Sequence, residues 1–291
     1  MLTSLTIFQI LAMSNRRNAV FLFGFITKDL GNFSAELGNL GLIFLFYLIF
    51  FTLLCGFFIG MMAVNLIYVI PKTRPLLTGK DSLLKLSPGL GMRPMPDSAE
   101  TLIRYSSNSP QTYKRYVQGL DLFLKDYYDI NAKNSVNFAT CDGKKQPDDI
   151  HKVCKFPIDK FGDCTQKNNY GYSSNKPCIL LKLNKIYGWL PDPTDATIKD
   201  PLVKCTGQNP QDTENLGTPT YYPSVKLNET SYGSFSNLYY PYVGQKSYLA
   251  PVVMVKFDFT RTSIPILVKC EVHNFKTSTD VDPVTMEFLV D

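Results

Sequence analysis

Histidine is nearly missing from this chain: His151 and His273 are the only two in 291 residues. That scarcity leaves little room for a histidine-rich metal centre or a histidine-based triad. The sequence has no Walker loop, no G-x-S-x-G elbow and no H-E-x-x-H pair. Its one G-x-G, in "SPGLGMRP", is flanked by prolines and opens no strand-to-helix unit. The "DVD" at Asp280–Asp282 resembles a sugar-nucleotide metal motif, but it stands before a terminal strand and lacks the alternating βα pattern such a site needs. His273 falls on the polar side of a strand and His151 in a charged loop, so both are expected to be solvated. The formal charge is only +5 and no long Lys/Arg run occurs, which gives no case for nucleic acid. No cofactor and no metal site is implied.

Charge is absent over a second scale. Between Glu36 and Lys72 there is no Asp, Glu, Lys, Arg or His, and "IFLFYLIFFTLLCGFFIGMMAVNLIYVI" fills most of the gap. As a helix, residues 40–70 reach roughly 45 Å, against a hydrocarbon core of about 30 Å. The helix therefore tilts, or its last turns leave the bilayer. No second run of this length follows, so one crossing is expected. Residues 1–39 read as a short cytosolic tail. Arg16 and Arg17 follow its apolar stretch instead of preceding it, unlike a secretory signal, and translation from Met13 is an alternative start.

The flanking basic residues, Lys28 on one side and Lys72, Arg74, Lys80 and Lys85 on the other, taken alone put the larger part in the cytosol. That rule is weak for long translocated domains. Cysteine argues the opposite. Cys55 lies in the membrane, while Cys141, Cys154, Cys164, Cys178, Cys205 and Cys270 all follow it, widely spaced and without a C-x-x-C pair. An even set of that kind suits three disulfides in an oxidising space, with fifteen pairings open. "NET" at Asn228 is a glycosylation acceptor on the same side; "NFS" at Asn32 would stay bare in the cytosol. The expected topology is type II, with the N-terminus inside and the C-terminal domain outside.

Residues 71–97 hold five prolines and read as an extended stalk. Over "SPQTYKRYVQGLDLFLKDYYD", residues Tyr113, Tyr116, Val117, Leu120, Phe123, Leu124 and Tyr127 recur at helical spacing, which predicts one amphipathic helix packed on its own domain. Strand signals follow. Val253, Val255, Phe257 and Phe259 alternate with Met254, Lys256 and Asp258; Val268, Cys270 and Val272 alternate with Lys269, Glu271 and His273; Val284, Met286, Phe288 and Val290 share one face. "PCILLKLNKIYGW" is a further candidate. Residues 98–291 thus read as a mainly-β extracellular domain, with antiparallel sheet in a sandwich and long loops between strands. Disulfides would add about 2–4 kcal/mol each.

On a helical wheel, Phe51, Leu54, Phe58, Met61 and Asn65 return to within about 40° of Tyr47. Thr52, Gly56, Gly60 and Ala63 gather opposite, and Gly56 with Gly60 makes a G-x-x-x-G step. The Tyr47 hydroxyl and Asn65 amide are expected to need partners at membrane depth. Two stripes on a lone span imply neighbouring helices from another chain, besides lipid.

Several blocks then carry a resemblance: "FYLIFFTLLCGFFIGMM", "SPGLGMRPMP", "SPQTYKRYV", "YGYSSNKPCILLKLNKIYGWLP", "CTGQNPQDTENLG" and "GSFSNLYYPYVGQKSYLAPVVMVKF". In this order they resemble the beta subunits of sodium/potassium- and hydrogen/potassium-transporting P-type ATPases. The resemblance implies a non-catalytic subunit of the plasma membrane. Such a subunit escorts a catalytic alpha subunit from the endoplasmic reticulum and tunes its cation affinity. It implies an immunoglobulin-like outer domain and the pairing Cys141–Cys154, Cys164–Cys178 and Cys205–Cys270. It implies that the aromatic pair at Tyr47 and Phe51 faces an alpha-subunit membrane helix; Leu54 and Phe58 of the same stripe, and Gly56 and Gly60 of the other, are the further candidate partner-facing positions. Phe51 stands where a second tyrosine is usual, Asn175 where glycine is usual, and the cytosolic "GRT…SW" block is replaced by "LGNFSAELGN". The loop from Tyr239 to Pro251, with Tyr239, Tyr240, Pro241, Tyr242 and Tyr248, is a candidate docking surface, tyrosine giving wide contact at small entropy cost. A pump-independent adhesion or receptor module is the competing expectation.

Overall fold

The structure is a computed structural model that describes residues 35–78, 81–82, 87–97, 100–132, 138–139, 141, 149, 152–195, 197–276 and 282–291. Met13, Asn32, His151 and Asp280, singled out above, lie outside them. The chain divides after Ile70 into two compact units.

The first unit is built on α1 (Ala35–Val64), continued by a π-turn over Asn65–Val69. Apolar side chains face outward all around it. Gly41–Val69, at 29 residues, is long and apolar enough to cross a bilayer. The helix stops at Ile70, whose backbone is extended. Pro71 enforces this, because its ring disfavours helical geometry in the residue before it.

The second unit is a two-layer β-sandwich. Its strands are β1 (Leu90–Arg93), β2 (Leu102–Tyr105), β3 (Phe138–Ala139), β4 (Val153–Cys154), β5 (Cys178–Leu183), β6 (Leu202–Gly207), β7 (Thr220–Tyr222), β8 (Ser224–Leu227), β9 (Thr230–Ser234), β10 (Val252–Lys256), β11 (Pro265–His273) and β12 (Val284–Val290). One sheet runs β1-β5-β10-β7 and the other β2-β12-β11-β6-β9-β8; β3 and β4 form a separate pair. Most neighbours are antiparallel, but β2 lies parallel to β12, and β3 to β4. The β2–β12 pair joins distant parts of the chain, so no hairpin dictates its direction. The chain changes sheets at Pro223, between β7 and β8; proline has no N–H to extend the ladder with β10.

Strands β11 and β12 alternate as their sequence predicts, with Val268, Cys270, Met286, Phe288 and Val290 buried. Strand β10 departs from its expected alternation: Val252, Val253, Met254 and Val255 are all buried. The cause is a second cover. Helix α2 (Pro110–Ala132) and the 3-10 segment Gln166–Ser174 lie on the far side of that sheet. Proline at the first helical position suits α2, since that N–H has no intrahelical partner. Tyr113, Tyr116, Leu120, Leu124 and Tyr127 form its buried stripe. Lys182 on β5 lays its ammonium over the Phe123 ring, and the Tyr127 hydroxyl donates to the Ala250 carbonyl at 2.7 Å. The Tyr116 hydroxyl accepts from Arg104 N–H at 3.0 Å, tying the helix to β2.

Part of the stretch 71–97, expected as stalk, is a strand. Leu90–Arg93 pairs with β5 from Leu90↔Leu183 to Arg93↔Leu180, burying Leu90 and Met92. An edge strand tolerates flanking prolines, because one of its sides needs no ladder. A short helix, α3 (Pro210–Leu216), is capped by the Asn209 side chain, which accepts from Asp212 N–H at 2.7 Å.

Candidate partner-facing surfaces

Within α1 the Tyr47 and Phe51 rings stack at 6.1 Å, and Phe46 and Phe50 stack at 6.3 Å. Phe50 also meets Phe51 edge-on at 5.4 Å. The aromatic surface is therefore four rings wide, broader than the stripe drawn from Tyr47 alone. Further along, Leu54 and Phe58 are exposed on the same side. At Gly56 and Gly60 an added Cβ would meet nothing within 4 Å, so the backbone there is open to close approach.

Two polar side chains of the helix bond to its own backbone. The Asn65 amide donates to the Met61 carbonyl at 2.8 Å, and the Thr52 hydroxyl to the Leu48 carbonyl at 2.7 Å. One N–H of the amide therefore has a partner inside its own helix. Asn65 also opens the π-turn, where the i→i−4 ladder is interrupted and a carbonyl is left to be satisfied.

The loop from Tyr239 to Pro251 is anchored to its own domain at both ends. Tyr240 is buried against Trp189, ring centroids 5.1 Å apart. Tyr239 packs 5.5 Å from Phe156 and donates its hydroxyl to the Lys155 carbonyl at 3.1 Å. Burial pushes the Tyr239 phenol up to about 12, so it stays neutral and hydrogen-bonding at physiological pH. Tyr248 is buried 4.9 Å from Tyr242. The Lys185 ammonium stands over both rings, 5.5 Å and 5.4 Å from their centroids. Gln245 braces the turn by accepting from Val243 N–H and donating to the Pro241 carbonyl. The exposed part is the tip at Gly244, Lys246 and Ser247, with Tyr239, Pro241, Tyr242, Val243 and Gln245 partly covered.

Three disulfides brace this unit: Cys141–Cys154, Cys164–Cys178 and Cys205–Cys270. The last joins directly opposed residues of β6 and β11. Its backbone is held by Tyr221, whose hydroxyl accepts from Cys205 N–H at 2.8 Å. Cys55 carries a free thiol. Asn228 is exposed at the two-residue turn between β8 and β9. Asn175 adopts a left-handed backbone, φ 59° and ψ 20°. Asparagine is among the few non-glycine residues that do so readily, so its place in a position where glycine is usual is conformationally conservative. His273 is exposed and meets Tyr232 edge-on. Asp282 lies in the loop before β12.

Among the described residues, one apolar helix of spanning length is followed by a disulfide-braced β-sandwich, the plan of a membrane-anchored β-domain protein. The chain belongs to the sodium/potassium ATPase beta chain family, whose model matches residues 30–287; this family is a non-catalytic subunit of the pump. It is similar to the sodium/potassium-transporting ATPase subunit beta-1 of Drosophila melanogaster, 34% identical over 235 residues, covering 74% of this chain and 72% of the relative. It is similar also to subunit beta-2 of Rhinella marina, 34% identical over 246 residues (80% and 79%). The probable subunit beta-3 of Caenorhabditis briggsae is 31% identical over 253 residues (81% and 74%).

Proposed function

We propose that this chain assembles with the catalytic alpha subunit of a sodium/potassium pump, supports its folding and exit from the endoplasmic reticulum, and modulates its cation affinity at the plasma membrane. One observation carries the reading: the family match runs from residue 30 to residue 287 and so takes in the membrane helix and the sandwich together. In this reading residues 1–39 are cytosolic, 40–70 cross the membrane, and the part after residue 71 is extracellular. Six cysteines paired in three bridges, and an exposed acceptor at Asn228, support that orientation.

Two surfaces of the chain suit the partner. The stacked rings of Tyr47 and Phe51, with Leu54 and Phe58, offer an aromatic ridge, and Gly56 with Gly60 offers a flat backbone for a second helix. In the sandwich, Tyr242 and the tip at Gly244–Ser247 are the accessible part of the tyrosine loop; Tyr239, Tyr240 and Tyr248 act as the foundation that holds it. Purification of the full chain from native membranes in mild detergent is expected to bring with it a multi-span chain that hydrolyses ATP. Delivery of this chain alone to the cell surface, with no such companion, would overturn the reading.

A further inference from the structure

The β8–β9 hairpin presents one face that the sandwich does not use. Its strands pair from Ser224↔Gly233 to Leu227↔Thr230, with Asn228 and Glu229 as the two turn residues, both at positive φ (44° and 68°). Gly233 fixes which face is inner: a Cβ there would stand 2.5 Å from Val253 and 2.9 Å from Val203 in the core. By period-two alternation, Val225, Leu227, Thr230 and Tyr232 share the outer face. The Lys204 ammonium lies 5.8 Å from the Tyr232 ring centroid, and the His273 ring meets it edge-on at 6.1 Å. Strand β8 is the last of its sheet, and Glu229 occupies a turn position that favours glycine. A projecting hairpin of this kind gains from anything that rests on its apolar side.

The acceptor Asn228 sits at the tip of that same hairpin, at the head of this strip. At about 3.4 Å per residue, Tyr232 lies within the length of a disaccharide from the turn. We propose that the outer face formed by Val225, Leu227 and Tyr232 is the resting surface of the N-linked glycan carried by Asn228, its first N-acetylglucosamine units stacked on the Tyr232 ring. A pyranose presents an apolar C–H face, and the negative π-face of tyrosine attracts it. Lys204, whose ammonium stands over the ring, and His273, which meets it edge to face, supply donors beside the stacking site for the sugar hydroxyls and acetamide. The tether keeps the sugar near the face at high effective concentration, so a weak contact suffices. The proposal rests on the extracellular placement given above.

The test uses the full chain, made through a eukaryotic secretory pathway, and reads amide hydrogen exchange across residues 224–234. Four forms are compared: the parent chain, Tyr232→Ala, Thr230→Ala, and the double variant. Thr230→Ala removes the hydroxyl that glycosylation requires and leaves Asn228 in its turn. Mass spectrometry is expected to find a glycan on Asn228 that Thr230→Ala removes. Tyr232→Ala should then lower hairpin protection about threefold more in the glycosylated background than in the bare one. Tyr232→Phe should keep the coupling, and Tyr232→Leu replaces the alanine variant if that one does not fold. Equal losses in both backgrounds would overturn the stacking while leaving the acceptor assignment intact. A bare Asn228 in the parent chain would overturn both.

Discussion

The three disulfides close loops of very different length, and this sets a rank order for their removal. Cys205–Cys270 spans 65 residues, while Cys164–Cys178 spans 14 and Cys141–Cys154 spans 13. A crosslink acts mainly by restricting the unfolded chain, with a benefit that grows as the logarithm of loop length. The ratio of 65 to 14 residues makes the long bridge worth about 1.4 kcal/mol more than Cys164–Cys178. Its absolute contribution is about 4 kcal/mol, against about 3 kcal/mol for each short bridge. The folded state should tolerate its loss, because β6 and β11 stay joined by their own ladder and by the Tyr221 hydroxyl on Cys205 N–H. The paired variants Cys205→Ala/Cys270→Ala and Cys164→Ala/Cys178→Ala are compared by thermal unfolding in detergent. Both pairs are buried, so the loss of sulfur volume is similar in each. The long-bridge variant should melt about 3–6 °C below the short-bridge one. Equal midpoints, or the reverse order, would refute the chain-entropy argument for this domain.

Gly171 has φ +78°, and a Cβ there would stand 1.9 Å from the Lys176 carbonyl oxygen; Gly171→Ala should cost more than about 3 kcal/mol and abolish accumulation of folded protein, measured by protease resistance. Tyr221→Phe strands the buried Cys205 N–H and should lower stability by about 1–3 kcal/mol in denaturant titration, with little change in m-value. The hydrogen bond from Lys256 holds the Asp163 carboxyl below its ordinary range, and the same bond raises the lysine. The pair's contribution is therefore fully present between about pH 4 and pH 10; it is lost as pH falls through the depressed Asp163 value or rises through the raised Lys256 value. Asp163→Asn should flatten both limbs of the difference curve in pH-dependent melting, and unchanged limbs would count against the pairing. Gly60→Leu should cut recovery of the catalytic chain about tenfold in co-purification, while Phe57→Leu, on the exposed face between the two stripes, should not.

Much of this architecture is legible in local pattern. An apolar run of this length without charge suits a bilayer core, so the candidate span follows from Glu36 and Lys72 as boundaries. The stripe from Tyr113 to Tyr127 and the alternation of Val268, Cys270, Met286 and Phe288 record contact with one core, and they keep their period in the structure. The hairpin of β8 and β9 escaped notice because its turn is Asn-Glu, a weaker signal than Asn-Gly, although Val225, Leu227, Thr230 and Tyr232 alternate around it.

The sequence by itself determined the single span, the amphipathic helix, the β character of the rest and the family. Each is a property of neighbours along the chain or of blocks in order. Only the tertiary structure decided that β10 is covered on both faces, that Leu90–Arg93 leaves the stalk to edge a sheet, and that β2 runs parallel to β12. It also decided that Tyr240 and Tyr248 are foundation, with Tyr242 left partly accessible, and that the Asn65 amide folds back on Met61. These outcomes depend on which groups meet across long separations, and residue type alone does not record whether a hydroxyl or an amide has found its partner at home.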